Sequence, residues 1–105
     1  MKDLSGLMKQ AQEMQAKMKE AQDRITELQV QGQSGGGMCS VTLKGSGELT
    51  ALTIDPSLVT PGDIEIVADL VIAAHADAKR RLDQRHQEIM REVAGPFAGL
   101  PGMPF

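Results

Sequence analysis

Apolar side chains recur at Leu4, Leu7, Ala11, Met14, Met18, Ala21, Ile25 and Leu28, with spacings that alternate three and four. Set among Gln, Lys, Glu and Ala, which favour helix, this is the a/d seam of a heptad. Such a stripe buries nothing on an isolated helix, so it demands a partner in its own chain or in a second copy. The heptad nominally reaches Leu28, but from Ile25 onward β-branched residues enter, and Thr26, Leu28 and Val30 alternate with polar ones. The helix is therefore expected to end near Arg24 and a strand to begin near Thr26.

Ser34-Gly35-Gly36-Gly37 reads as a turn with wide backbone freedom. From Met38 to Lys44 the pattern puts Cys39, Val41 and Leu43 on one face and Ser40, Thr42 and Lys44 on the other, which is a half-buried antiparallel strand. Gly45-Ser46-Gly47 closes a hairpin onto a third strand, Glu48 to Ile54, whose apolar parity changes between Ala51 and Leu52. A bulge is expected there. Asp55-Pro56 ends the strand, because Pro has no N–H to give a ladder. A second helix then starts with Thr60 as N-cap, Pro61 at its first position and Asp63 at its third, a variant of the capping box. It is expected to run to Ala94 and stop at Gly95-Pro96, about 34 residues or roughly 50 Å. Ile64, Val67, Val71, Ala74, Ala78, Leu82, Ile89 and Val93 mark its buried face, widened in the first half by Ile66, Leu70 and Ala73. There it should pack on the sheet, and afterwards project beyond it.

The sequence thus predicts an α+β fold, with a helix, a three-stranded antiparallel sheet and a long helix. Residues 1–94 form a single domain in this reading, and residues 95–105, Gly- and Pro-rich, a disordered tail. Open sheet edges and a bare helical seam make a poor monomer, and dimerisation resolves both.

Composition narrows the functions. Eleven Lys and Arg face fourteen Asp and Glu, so the totals lack the cationic excess usual in tight nucleic-acid binders. Any affinity for DNA must come from charge segregated along the chain. Phe97 and Phe105 are the only aromatics, which leaves the body without rings for stacking unpaired bases. One cysteine permits no intrachain disulfide, and one Cys with two His is poor material for zinc. No cofactor, metal site or catalytic constellation is expected. Neither a signal peptide nor a run of roughly twenty apolar residues is evident, so the expected compartment is the cytoplasm, with no membrane partner.

Over essentially the whole chain these elements resemble the YbaB/EbfC family. The features that carry the resemblance are the Met/Gln/Lys-rich first helix and Val30-Gln31-Gly32-Gln33-Ser34-Gly35-Gly36-Gly37, then Val41-Thr42-Leu43-Lys44-Gly45 and Leu52-Thr53-Ile54-Asp55-Pro56-Ser57-Leu58. Asp69-Leu70-Val71-Ile72-Ala73-Ala74 and the Gly/Leu/Pro tail complete it. No single piece is diagnostic, but their order and spacing together are specific. The resemblance implies a tweezer-like homodimer, with sheets as body and helices as arms, that associates with bacterial double-stranded DNA in the nucleoid with little sequence preference. It brings no strict motif of DNA-contacting side chains, so these are chosen on physical grounds.

From Asp63 to Asp77 the second helix carries four acids and no Lys or Arg. From Lys79 to Arg91 it carries Lys79, Arg80, Arg81, Arg85 and Arg91 against Asp83 and Glu88, an excess of three. Two such arms in a dimer suit the gripping of phosphates. By helical phase Arg80 and Arg91 lie opposite the apolar face and Lys79 and Arg81 flank it. Arg85, at the stripe's edge, could equally support the dimer through its stem. On the first helix Lys17 and Arg24 share one shoulder of the seam, with Lys2 and Lys9 behind it. The candidate DNA contacts are therefore Lys79, Arg80, Arg81, Arg91, Lys17 and Arg24. Against them, Glu13–Lys17, Glu20–Arg24 and Asp77–Arg81 stand at i,i+4 in the favourable orientation, so this charge could simply solvate a helix. His75 and His86 are three helical turns apart, too far to share a metal, and read as surface or interface residues. Cys39 alternates with Val41 and Leu43 and reads as core. The glycine run lacks the Lys-Ser/Thr of a phosphate loop.

Two functions follow. One is a non-enzymatic nucleoid-associated homodimer that binds double-stranded DNA through backbone phosphates. The other is an adaptor, in recombination or replication, that uses the seam or arms to hold a protein and binds no bare DNA.

Overall fold

A computed structural model describes residues 2–95, with only the backbone at Lys2, Asp3 and Ala94. The order is helix α1 (Lys2–Thr26), strands β1 (Gln29–Ser34), β2 (Cys39–Lys44) and β3 (Leu49–Ile54), then helix α2 (Ile64–Ala94). The strands form one antiparallel sheet in the order β1-β2-β3. The expected architecture is borne out, and the tail 96–105 lies outside the described residues. No described helix is long and apolar enough to cross a membrane.

Several boundaries shift for local reasons. α1 continues two residues past Arg24, because the Thr26 hydroxyl donates to the Gln22 carbonyl and the Glu27 N–H to that of Asp23. Leu28 N–H then bonds Ile25 in a tighter turn, and the strand starts only at Gln29. The bulge sits one residue earlier than expected: Thr42 pairs with Ala51 but Leu43 with Leu49, leaving Thr50 as the extra residue. α2 proper begins at Ile64, since Pro61–Asp63 forms a 3-10 turn. Thr60 donates its hydroxyl to the Asp63 carboxylate at 2.7 Å and caps no backbone N–H.

Cys39, Val41 and Leu43 point from β2 into the main core and meet Ala74, Ala78 and Leu82 of α2. The helix comes this close because β1 presents Gly32 beneath it. A methyl group there would stand 2.2 Å from the Ala78 nitrogen and 2.4 Å from the Ala74 oxygen. Two polar ties hold the crossing: the Ser34 hydroxyl donates to the Leu70 carbonyl at 2.6 Å, and the Gln33 N–H donates to Asp77 at 3.0 Å. A second, smaller cluster joins Ala21 of α1 to Ile89 and Val93 of α2, flanked by Ile25, Leu28 and Met90.

The buried face of α2 is narrower than its apolar pattern. Ala74, Ala78, Leu82, Ile89 and Val93 are buried, but Ile64 and Ile66 are largely exposed, at 69% and 51%, and Ala73 is exposed too. The reason is that α2 lies over β1 and β2 and leaves β3 uncovered. Leu52 sits opposite Val41 on the core-facing side, yet remains 44% exposed. Likewise, of the α1 seam only Ala21 is buried, while Leu4, Leu7 and Ala11 face solvent.

Candidate nucleic-acid interface

Charge is partitioned by element. Between Glu27 and Asp77, which spans the sheet and the first half of α2, Lys44 is the sole base against seven acids. The other ten bases all lie in α1 or in α2 from Lys79 onward, against seven acids. The body is therefore anionic and the paired helices cationic, although the chain as a whole carries −3.

The geometry divides the six candidates into two groups. Lys79, Arg80 and Arg81 stand on the stretch of α2 that still crosses the sheet, so the expectation that the whole basic half projects beyond it is corrected. α2 crosses the sheet mid-helix, where Ala74 and Ala78 permit close approach to Gly32, and the sheet thus underlies part of the basic run. A shallow groove of about 480 Å³ runs here between Gln29 and Gln31 of β1 and Arg81, Gln84 and Arg85 of α2. Further out, Lys17, Arg24 and Arg91 belong to the arm in which α1 and α2 run antiparallel. There Arg24 reaches across to Glu92 at 2.6 Å.

Most of these cations have a carboxylate beside them. Asp77 takes both Arg80, at 2.9 Å, and Arg81, at 3.1 Å, while Lys79 meets Asp83 at 2.6 Å and Arg85 meets Glu88. Lys17 pairs with Glu20 at 3.3 Å instead of Glu13, and Arg24 chooses Glu92 over Glu20. The basic side chains are well exposed, and exposed pairs of this kind contribute little net stability. A phosphate can replace the carboxylate at small cost. The Gln33 N–H, above all, holds the Asp77 carboxyl below its usual range; partial desolvation opposes this, and Arg81 and Arg80 add to it.

Among the described residues, Lys9, Lys19 and Arg91 have no ion-pair partner. Lys19 is a cation that sequence reasoning passed over, and Lys9 was placed behind the seam without being made a candidate. A signal was present: each has its acid, Asp23 and Glu13 respectively, four residues C-terminal, the weaker orientation for an i,i+4 pair. His75 is exposed, whereas the Nε2 of the half-buried His86 meets the Gly45 carbonyl at 3.1 Å. His86 thus braces the β2–β3 hairpin. Cys39 is buried, as expected of a core residue.

The profile of the YbaB/EbfC DNA-binding family matches residues 1–97. A nucleoid-associated protein of Phenylobacterium zucineum is 62% identical over 104 residues, covering 99% of this chain and 97% of the relative. One from a Caulobacter species is 58% identical over the full length of both. Among solved structures, the crystal structure of an uncharacterized protein from Helicobacter pylori superposes with a TM-score of 0.67 at 27% identity, over 88% of this chain and 94% of that one.

Proposed function

The chain belongs to the YbaB/EbfC DNA-binding family, and from that premise we propose that it is a homodimer that grips double-stranded DNA by its backbone phosphates. It is a member of a family of nucleoid-associated DNA-binding proteins, not of an enzyme family. Lys79, Arg80, Arg81 and Arg91 of α2 and Lys17 and Arg24 of α1 make the phosphate contacts, with Lys9 and Lys19 adding to the field of the arm. The compartment is the bacterial nucleoid, in the cytoplasm. The observation that carries the reading is the segregation of ten of eleven bases onto the two helices. An anionic body repels the duplex, so only the arms can approach it, and flexible cations without base-reading geometry give affinity without sequence preference.

Dimerisation is supported by the face that α2 leaves open. Leu49 and Leu52 of β3, with Val59, Ile64 and Ile66, are exposed apolar side chains beside an unpaired strand edge. Ile54, Leu58, Pro61 and Val67 line an apolar groove along the same margin. A second copy covering this face would close the edge and set two arms in space.

The test is the triple variant Arg80→Ala, Arg81→Ala, Arg91→Ala. All three side chains are exposed, so the fold should persist. Binding should weaken alike on unrelated duplexes, and the slope of log affinity against log salt should flatten by about 2–3, near 0.9 per lost phosphate contact. An unchanged slope would overturn the arm assignment. Negligible binding of bare DNA by the unaltered protein at physiological salt would instead favour the adaptor in recombination or replication.

A further inference from the structure

We propose that residues 96–105 of this chain dock on the exposed stripe of its own α1 formed by Leu4, Leu7, Ala11 and Met14. The antiparallel arm sets up the vacancy. Leu28 lies near the body end of α2 and Ala21 beside Ile89 and Val93, so each turn towards the N-terminus of α1 moves towards the end of α2. α2 stops at Ala94, level with Ala21. The portion of α1 before Lys17 therefore has no α2 residue alongside it, yet its heptad seam continues. Leu4 and Leu7 are 57% and 61% exposed, and Leu7, Ala11 and Met14 line a shallow apolar depression.

The segment that leaves α2 at this level is Pro96-Phe97-Ala98-Gly99-Leu100-Pro101-Gly102-Met103-Pro104-Phe105. It holds no charged or hydrogen-bonding side chain and contains both aromatics of the chain. Ten residues span at most about 33 Å, and the run of α1 from Ala21 back to Leu4 is about 25 Å, so the segment covers the whole stripe. It cannot serve the other apolar face: the groove at Ile64 and Val67 lies at the far end of α2, about 45 Å away. Tethering favours the chain's own stripe over that of another copy, because a short linker holds the segment at an effective concentration on the order of millimolar.

The chain has neither Trp nor Tyr, so Phe97→Trp introduces a single fluorophore. Its emission in the full-length protein should be blue-shifted from that of N-acetyltryptophanamide. Leu7→Glu with Ala11→Glu, both at exposed positions, should return it to the solvent value while the circular dichroism stays unchanged. A solvent-like emission in the single variant overturns docking, and a blue shift that survives the two glutamates places the segment elsewhere. Recovery of the blue shift when the triple variant is co-refolded with excess unaltered protein assigns the segment to another copy's α1 and overturns docking in its own chain. The readout is independent of DNA, so it stands or falls separately from the phosphate contacts.

Discussion

Two residues set how α2 sits on the sheet, one by having no side chain and one by its charge. Gly32 lies against the backbone of Ala74 and Ala78, and a rigid main chain cannot yield to a new methyl group. Gly32→Ala should therefore cost about 3 kcal/mol, at the upper end of overpacking penalties, read as a lower urea midpoint. Asp77 links the β1 backbone to Arg80 and Arg81. Its folded pKa is lowered, so its contribution is present above the ordinary carboxylate value of 3.8 and lost as the pH falls through the lower folded value. Asp77→Asn should lower the urea midpoint at pH 7 and make little difference near pH 2. In the same variant Arg80 and Arg81 lose their competing carboxylate, so DNA should bind more tightly at pH 7, in an anisotropy titration, despite the lost stability.

Among the elements, α1 is the least anchored. Its hold on α2 rests on Ala21, Ile89 and Val93, with no contribution from the main core. Ile89→Ala should remove about 2–4 kcal/mol from that contact. Hydrogen exchange should then quicken along α1 while β2, sealed by Val41 and Leu43, keeps its protection. The sequence made these elements legible where periodicity and punctuation agreed. Cys39, Val41 and Leu43 marked one strand face, and Asp55-Pro56 and Gly95-Pro96 marked ends. It was less legible where local bonds decide. The Thr26–Gln22 bond prolongs α1 beyond the first β-branched residues, and the pairing of Leu43 with Leu49 fixes the bulge, neither of which is visible in hydropathy. The apolar pattern also could not distinguish a side chain buried under α2 from one left open. Leu52 and Ile64 carry the same periodic signal as Val41 and Ala74, yet only the latter two are covered. For the interface, charge position along the chain was readable, whereas the choice of Glu92 by Arg24 is a contact between helices that no local spacing encodes.

At the scale of the molecule, the open apolar face and the cationic arms lie at opposite ends, and the account needs both. Leu52→Glu would place a carboxylate on the face assigned to the second copy without entering the core, since Leu52 is already half open. Light scattering should report a dimer for the unaltered protein at micromolar concentration and a monomer for this variant, whose DNA affinity should fall because one arm replaces two. The most direct measurement is a fluorescence-anisotropy titration of the unaltered protein on two duplexes of unrelated sequence across a series of salt concentrations. Phosphate gripping predicts equal affinities on both and one steep linear decline of log affinity with log salt. A strong preference for one duplex, or an affinity indifferent to salt, would contradict it.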